Sequence, residues 1–207
     1  MSYEVESLFS IPLFKTNYGK ISPEERRTVD KYVMDLQQNT FNYTSNERYI
    51  LDKDFPELRK FIDQSIVSYV EEVIYGEEYD REKISFDITQ SWINLTQPGG
   101  NHHIHCHRNS VFSGVFYFQV NEEVDGITFR NNIPEQTIAL EPTKYNRYNS
   151  PQWRVLVKEG DLLMFPSHLY HSVDVVMTPI PRISLSFNVF PRGTIGGYLD
   201  LTELTIN

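Results

Sequence analysis

Cysteine is nearly missing: Cys106 is the only one in 207 residues. That excludes an intrachain disulfide framework and fits a reducing, cytoplasmic setting. No apolar run approaches the roughly 20 residues a bilayer-spanning helix needs, so no membrane partner is expected. The N-terminus carries Glu4 and Glu6 where a secretory signal would be basic. Pro12 breaks the short apolar run from Leu8 to Phe14, so no such signal is expected either. Basic residues are scarce, with 19 Lys and Arg against 28 Asp and Glu and a formal net charge of −9. That balance speaks against general nucleic-acid binding and against anionic membrane surfaces, both of which want a positive face. Internal repeats, linkers and low-complexity tracts are lacking as well. None of these absences bears on oligomeric state, and a homodimer stays open.

What is present suits one domain with a substantial core. The 13 Tyr and 13 Phe favour β structure. Leu8 to Tyr18 reads as an edge strand marked by Pro12. Ser22-Pro23-Glu24-Glu25 opens a helix predicted to run to about Gln38, with Ser as the cap and Pro in the first turn. Asn39 to Asn46 reads as a loop. Asp54-Phe55-Pro56-Glu57 opens a second helix, with Leu58, Phe61, Ile62, Ile66, Tyr69, Val70 and Val73 at helical spacing and Gly76 as its stop. Both helices are expected to pack on the outside of a sheet.

From Ile84 the period becomes two. Strands are predicted over Ile84 to Thr96, Val111 to Val120, Ile127 to Arg130, Trp153 to Val157, Leu162 to Phe165 and Arg182 to Phe190, with one more within Gly193 to Asn207. Many short strands separated by turns indicate a sandwich or barrel. The chain thus divides into helical support (1–83), a β core (84–192) and a C-terminal extension (193–207).

The six histidines fall into two groups: His102, His103, His105 and His107, then His168 and His171. Neutral imidazole is the commonest metal ligand among side chains. On a strand, i and i+2 share a face, so His105 and His107 can grip one ion, with His103 in line behind and His102 turned away. His171 would supply the third ligand of an open iron site. His168 suits a supporting or surface role. Eleven positions after His171 comes Arg182, and Ser184 shares its strand face. A guanidinium matches a carboxylate two-pronged, so these two could hold one end of an organic acid while its other end chelates the metal. On strand-face grounds alone, Asn94 and Asn188 are candidates to line the cavity.

These pieces in order resemble a known family: His-x-His, Ser113-Gly114-Val115-Phe116-Tyr117, Glu159-Gly160-Asp161-Leu162-Leu163-Met164-Phe165-Pro166-Ser167, His171, and Arg182-Ile183-Ser184-Leu185-Ser186-Phe187-Asn188. The likeness is to the 2-oxoglutarate/Fe(II)-dependent dioxygenases, and within them to a branch known largely from phage and bacterial genomes. It covers about residues 84 to 192. The resemblance implies a double-stranded β-helix (jelly-roll, cupin-like) core with flanking helices. It implies Fe(II) on His105, His107 and His171, and 2-oxoglutarate with its far carboxylate on Arg182 and Ser184, within reach of Tyr117. The implied reaction couples oxidative decarboxylation of 2-oxoglutarate to oxidation of an unknown substrate. In two places the chain departs from the pattern: the wider superfamily has a carboxylate where His107 stands, and the branch tends to have Pro where Arg108 stands. Two other readings remain at this point: a cupin-like three-His metal enzyme that uses no oxoacid, and a non-enzymatic jelly-roll binding or structural protein. Substrate is expected near the long segment Asn131 to Gln152, where Lys144, Tyr145, Arg147 and Tyr148, with Trp153 and Arg154 beyond, form a basic, aromatic island.

Overall fold

The computed structural model describes residues 2–8, 10–131 and 141–206. Two sheets face one another. The larger has strand order β1-β9-β6-β11-β4-β3-β2, with β12 on β11, and the smaller has order β5-β10-β7-β8. Their ranges are β1 Phe14–Asn17, β2 Leu36–Asn39, β3 Asn42–Ser45, β4 Ile84–Thr96, β5 His102–His105, β6 Phe112–Gln119, β7 Gly126–Arg130, β8 Gln152–Leu156, β9 Asp161–Pro166, β10 His171–Val173, β11 Arg182–Ile195 and β12 Leu204–Ile206. Three helices, α1 Pro23–Val33, α2 Ile50–Asp54 and α3 Pro56–Tyr69, precede the main run of strands. This is the mainly-β double-stranded β-helix that the resemblance implied.

The sequence dictates both layers. In α1, Ser22 accepts from the Glu25 backbone N–H while Glu25 answers on the Ser22 backbone N–H, a complete capping box. Val29 of α1 and Leu58, Ile62, Ile66 and Tyr69 of α3 are buried against one face of the large sheet, among them Ile93, Leu95, Phe116, Leu185 and Phe187. The opposite face carries Val115, Tyr117, Leu163 and Phe165, which meet Ile127 and Phe129 of the small sheet. Strand β6 is therefore covered on both sides, which is why its sequence is apolar at nearly every position.

The helices lie on the outside of the sheet, as the sequence predicts, but several boundaries differ. Helix α1 ends at Val33, and the segment read as helix end and loop is the β2–β3 hairpin, turned at Thr40 with φ 55°. The polar residues there gave no alternation to find. The second helix begins at Pro56, its last turns, Val70–Tyr75, are π-helical, and Gly76 closes them with φ 72°. Short α2 went unread. Strand β11 does not stop at Phe190 but passes Pro191 to pair with β12. Proline is tolerated because β6 has ended at Phe112 opposite Val189, leaving that side of β11 without a ladder partner.

Candidate functional site

The small sheet brings the expected histidines together. His105 closes β5 and His171 opens β10, and the two are directly opposed across the antiparallel pair. His107 lies just past β5, and its backbone N–H donates to the Ser167 carbonyl at 2.9 Å. One ligand nitrogen from each of His105, His107 and His171 falls within 4.8 Å of the other two. Ring centroids are 4.3 Å apart for His105 and His171, 5.1 Å for His105 and His107, and 5.2 Å for His107 and His171. His105 Nδ1 is 2.8 Å from the His103 carbonyl and His171 Nδ1 2.9 Å from the Leu169 carbonyl. A carbonyl can only accept, so in both rings the proton sits on Nδ1 and the Nε2 lone pair is free for a metal.

Burial keeps these rings uncharged. It pushes His107 down to about 4, helped by the neighbouring His105. It pushes His171 down to about 3, with His105, His107 and Arg182 adding to the effect against the Leu169 carbonyl. His105 is also lowered by burial, opposed by its bond to the His103 carbonyl.

The other wall belongs to the large sheet. Arg182 begins β11, only 2% exposed, and donates to Ser184 Oγ at 3.3 Å. Its guanidinium carbon lies 5.0 Å from the centre of the Tyr117 ring. No carboxylate pairs with it among the described residues. Arg182 Nε, the Tyr117 hydroxyl and Asn94 Oδ1 are all buried without a hydrogen-bond partner. A buried, unpaired guanidinium is costly unless an anion completes it. Burial raises the Tyr117 hydroxyl, partly offset by Arg182, so it stays protonated as a donor. The chemistry left open here is that of a carboxylate receptor, and it fits the far end of an oxoacid.

One cavity joins the two walls. It is lined by Trp92, Asn94, Arg182, Ser184, Ser186 and Val115 of the large sheet, and by His102, His105, His107, His171, Ile127 and Val173. A broader, solvent-open hollow by α2 and α3 has Asp52, Arg59 and Asp63 in its lining, and these are already tied to one another as ion pairs.

Not every expected residue sits as read. Asn188 does not line the cavity: its Oδ1 accepts from Ser113 Oγ at 2.9 Å, in a hydroxyl chain that continues to Ser167 and Ser110. Asn94 does line it, with Nδ2 donating to Ser186 Oγ at 2.9 Å. His103 is exposed and gives its carbonyl to His105, and His168 is exposed outside the triad. His102, read as turned away, faces the cavity. His171 pairs with His105 and Val173 with His102, so β5 spends three steps where β10 spends two, and that irregularity reverses the alternation. Nothing in the sequence marks this irregularity. Trp92, whose ring lies 6.0 Å from that of His107, could have been found, since it shares a strand face with Asn94. Of the basic, aromatic island, residues 132–140 of the surrounding segment lie outside the described residues, and none of the rest lines the cavity. Arg154 is committed elsewhere, to Asp174 at 3.2 Å.

Comparisons with known proteins agree with this geometry. Residues 90–188 match the family described as "Putative 2OG-Fe(II) oxygenase", a span that holds all three histidines, Arg182 and Ser184. Among curated proteins none matches this chain. Similar solved structures include a Pseudomonas putida prolyl-4-hydroxylase (TM-score 0.59, 14% identity, covering 89% of this chain and 95% of that one). Another is an oxidoreductase of the 2OG-Fe(II) oxygenase family from Burkholderia pseudomallei (0.56, 13%, 86% and 83%). A third is HygX from Streptomyces hygroscopicus, solved with nickel, 2-oxoglutarate and hygromycin B (0.58, 10%, 86% and 82%). At these identities the structures speak for the fold, while the family match speaks for the chemistry. It favours an oxoacid-using enzyme over both the oxoacid-free cupin and the non-enzymatic scaffold: residues 90–188, just under half of the chain and the part that builds the site, are those of a 2-oxoglutarate- and Fe(II)-dependent oxygenase.

Proposed function

We propose that His105, His107 and His171 hold the Fe(II), and that Arg182, Ser184 and Tyr117 receive the far carboxylate of 2-oxoglutarate, with Asn94 beside it. The observation that carries this reading is the buried guanidinium without an anion, set across one cavity from three convergent, neutral imidazoles. When bound, the iron and oxoacid supply O2 activation, coupling decarboxylation of 2-oxoglutarate to succinate and CO2 with oxidation of a substrate C–H bond.

The chain's own residues orient and shield. The His103 and Leu169 carbonyls fix the tautomers and ring directions of His105 and His171. Arg182 gives the oxoacid a two-pronged anchor, and the ring of Tyr117 beneath it keeps the guanidinium from swinging out. Val115, Ile127 and Val173 keep water from that part of the cavity. Three neutral ligands leave one negative charge fewer than a two-His, one-carboxylate set, so the site draws more of its affinity from the dianionic oxoacid.

Anaerobic Fe(II) titration with and without 2-oxoglutarate tests the assignment through the weak visible charge-transfer band of the chelate. Arg182→Ala should weaken the band's dependence on oxoacid, and His107→Ala should abolish the band. A band untouched by both changes would refute it.

Substrate is proposed to approach past the segment Asn131 to Gln152, in whose described part Lys144, Tyr145, Arg147 and Tyr148 are exposed. Neutralising Lys144 and Arg147 together should raise the KM for substrate and leave uncoupled oxoacid turnover intact. If neither moved, this segment would have no part in substrate capture. The cytoplasmic setting inferred from the single cysteine and the phage-like branch belong to this same proposal. Among the described residues no helix is long and apolar enough to cross a membrane.

A further inference from the structure

His102 is the cavity residue that the reading above leaves without a task. The irregularity in β5 turns it inward, opposite Val173 and on the same side as His105. Its ring stacks on that of His105, with centroids 4.4 Å apart and planes 23° from parallel. It also shares the cavity lining with Arg182, Ser184 and Asn94. Neither of its nitrogens has a hydrogen-bond partner among the described residues, although the ring is partly buried. A neutral imidazole has one N–H to give and one lone pair to receive.

Its ring touches a metal-ligand candidate and lines the same cavity as Arg182. His102, His105 and His171 share one cavity with Arg182 and Ser184. An oxoacid that chelates an ion on His105 and His171 and reaches Arg182 lies in the cavity that this ring lines. His102 is not needed as a further metal ligand, because His105, His107 and His171 already converge. The His102, His103 and His105 group also borrows His105 from the triad, so it is not a separate site.

Resting on the proposed assignment, we infer that His102 is a further contact for the oxoacid, donating its free ring N–H to an oxygen of 2-oxoglutarate between the metal and Arg182. Stacking on His105 holds the donor in place, so little ordering is needed on binding. A donor that carries no charge adds affinity without adding to the positive charge of a three-imidazole site.

The test is anaerobic titration of 2-oxoglutarate into the Fe(II)-loaded protein, beside a separate titration of Fe(II) alone. His102→Phe keeps an aromatic ring against His105 and removes the N–H. It should raise the Kd for 2-oxoglutarate by about tenfold, the scale of one hydrogen bond to an anion, with the Fe(II) Kd within about twofold and one ion per chain. His102→Asn, which restores a donor, should regain part of the loss. An unchanged oxoacid Kd in His102→Phe, while Arg182→Ala still raises it, would overturn this inference and leave the site assignment standing. Loss of Fe(II) binding in His102→Phe, or two ions per chain in the parent, would overturn it in favour of a metal-ligand role. Absence of any oxoacid-dependent band in the parent protein would overturn both.

Discussion

At the scale of single residues, the three imidazoles and the guanidinium do different work, and their substitutions should separate. His171→Ala should remove tight Fe(II) binding, measured by calorimetry under nitrogen, whereas His168→Ala should leave it within about twofold, because His168 lies outside the convergent group. The rings also set a pH dependence. Folded His107 and His171 hold protons only below about 4 and about 3, whereas an unfolded His does so below about 6.5. Between those values the unfolded chain binds more protons, so stability rises with pH and is lost on acidification. The Tm of chelator-treated protein should therefore fall as pH drops from about 6.5 towards 4, and His107→Ala should flatten that slope. A Tm indifferent to pH over this window would show that the rings are not buried neutral.

Among elements, the strands of alternating or unbroken apolar character were legible, and so was the reach of Arg182 and Ser184 into the space between sheets. Period two is a local property that survives folding wherever one face must be buried. What escaped was set by pairing rather than by composition: the polar β2–β3 hairpin, the passage of β11 beyond Pro191, and the irregularity that reverses His102. Asn188 shares its strand face with Arg182, but a serine hydroxyl had claimed its amide, which parity cannot reveal. Close packing between elements explains one residue of the Ser113-Gly114-Val115 motif. A Cβ on Gly114 would lie 2.1 Å from Cζ of Phe187, a buried ring on the neighbouring strand β11. Gly114→Ala should cost about 1–3 kcal/mol by urea unfolding, as overpacked cores do, while Gly99→Ala meets no atom within 4 Å and is limited by its φ of 82° alone. At the sheet's edge, Asp161 anchors β1 to β9: burial pushes its carboxylate up, but Asn17, Lys15 at 2.8 Å and the Lys158 N–H outweigh that and hold it low. Asp161→Ala should loosen β1, seen as faster amide exchange over Phe14–Asn17.

Over the whole molecule, the two sheets are unequally supported. Helices brace the large one through an extensive apolar layer, while the small one leans on it through a modest cluster around Phe129, Phe165 and Leu169. Ligands that bind only the folded protein raise its Tm, so Fe(II) with 2-oxoglutarate should do so, and by more than either alone. The three histidines all ride on the small sheet and its margins, and Arg182, Ser184 and Tyr117 all belong to the large one. A diacid gripped at both ends would thus act as a rivet through two plates. Deuterium uptake should slow across β5 and β10 when both are supplied and remain unchanged in β1 and β2, so that the cosubstrate serves the protein as a fastener as well as a reactant.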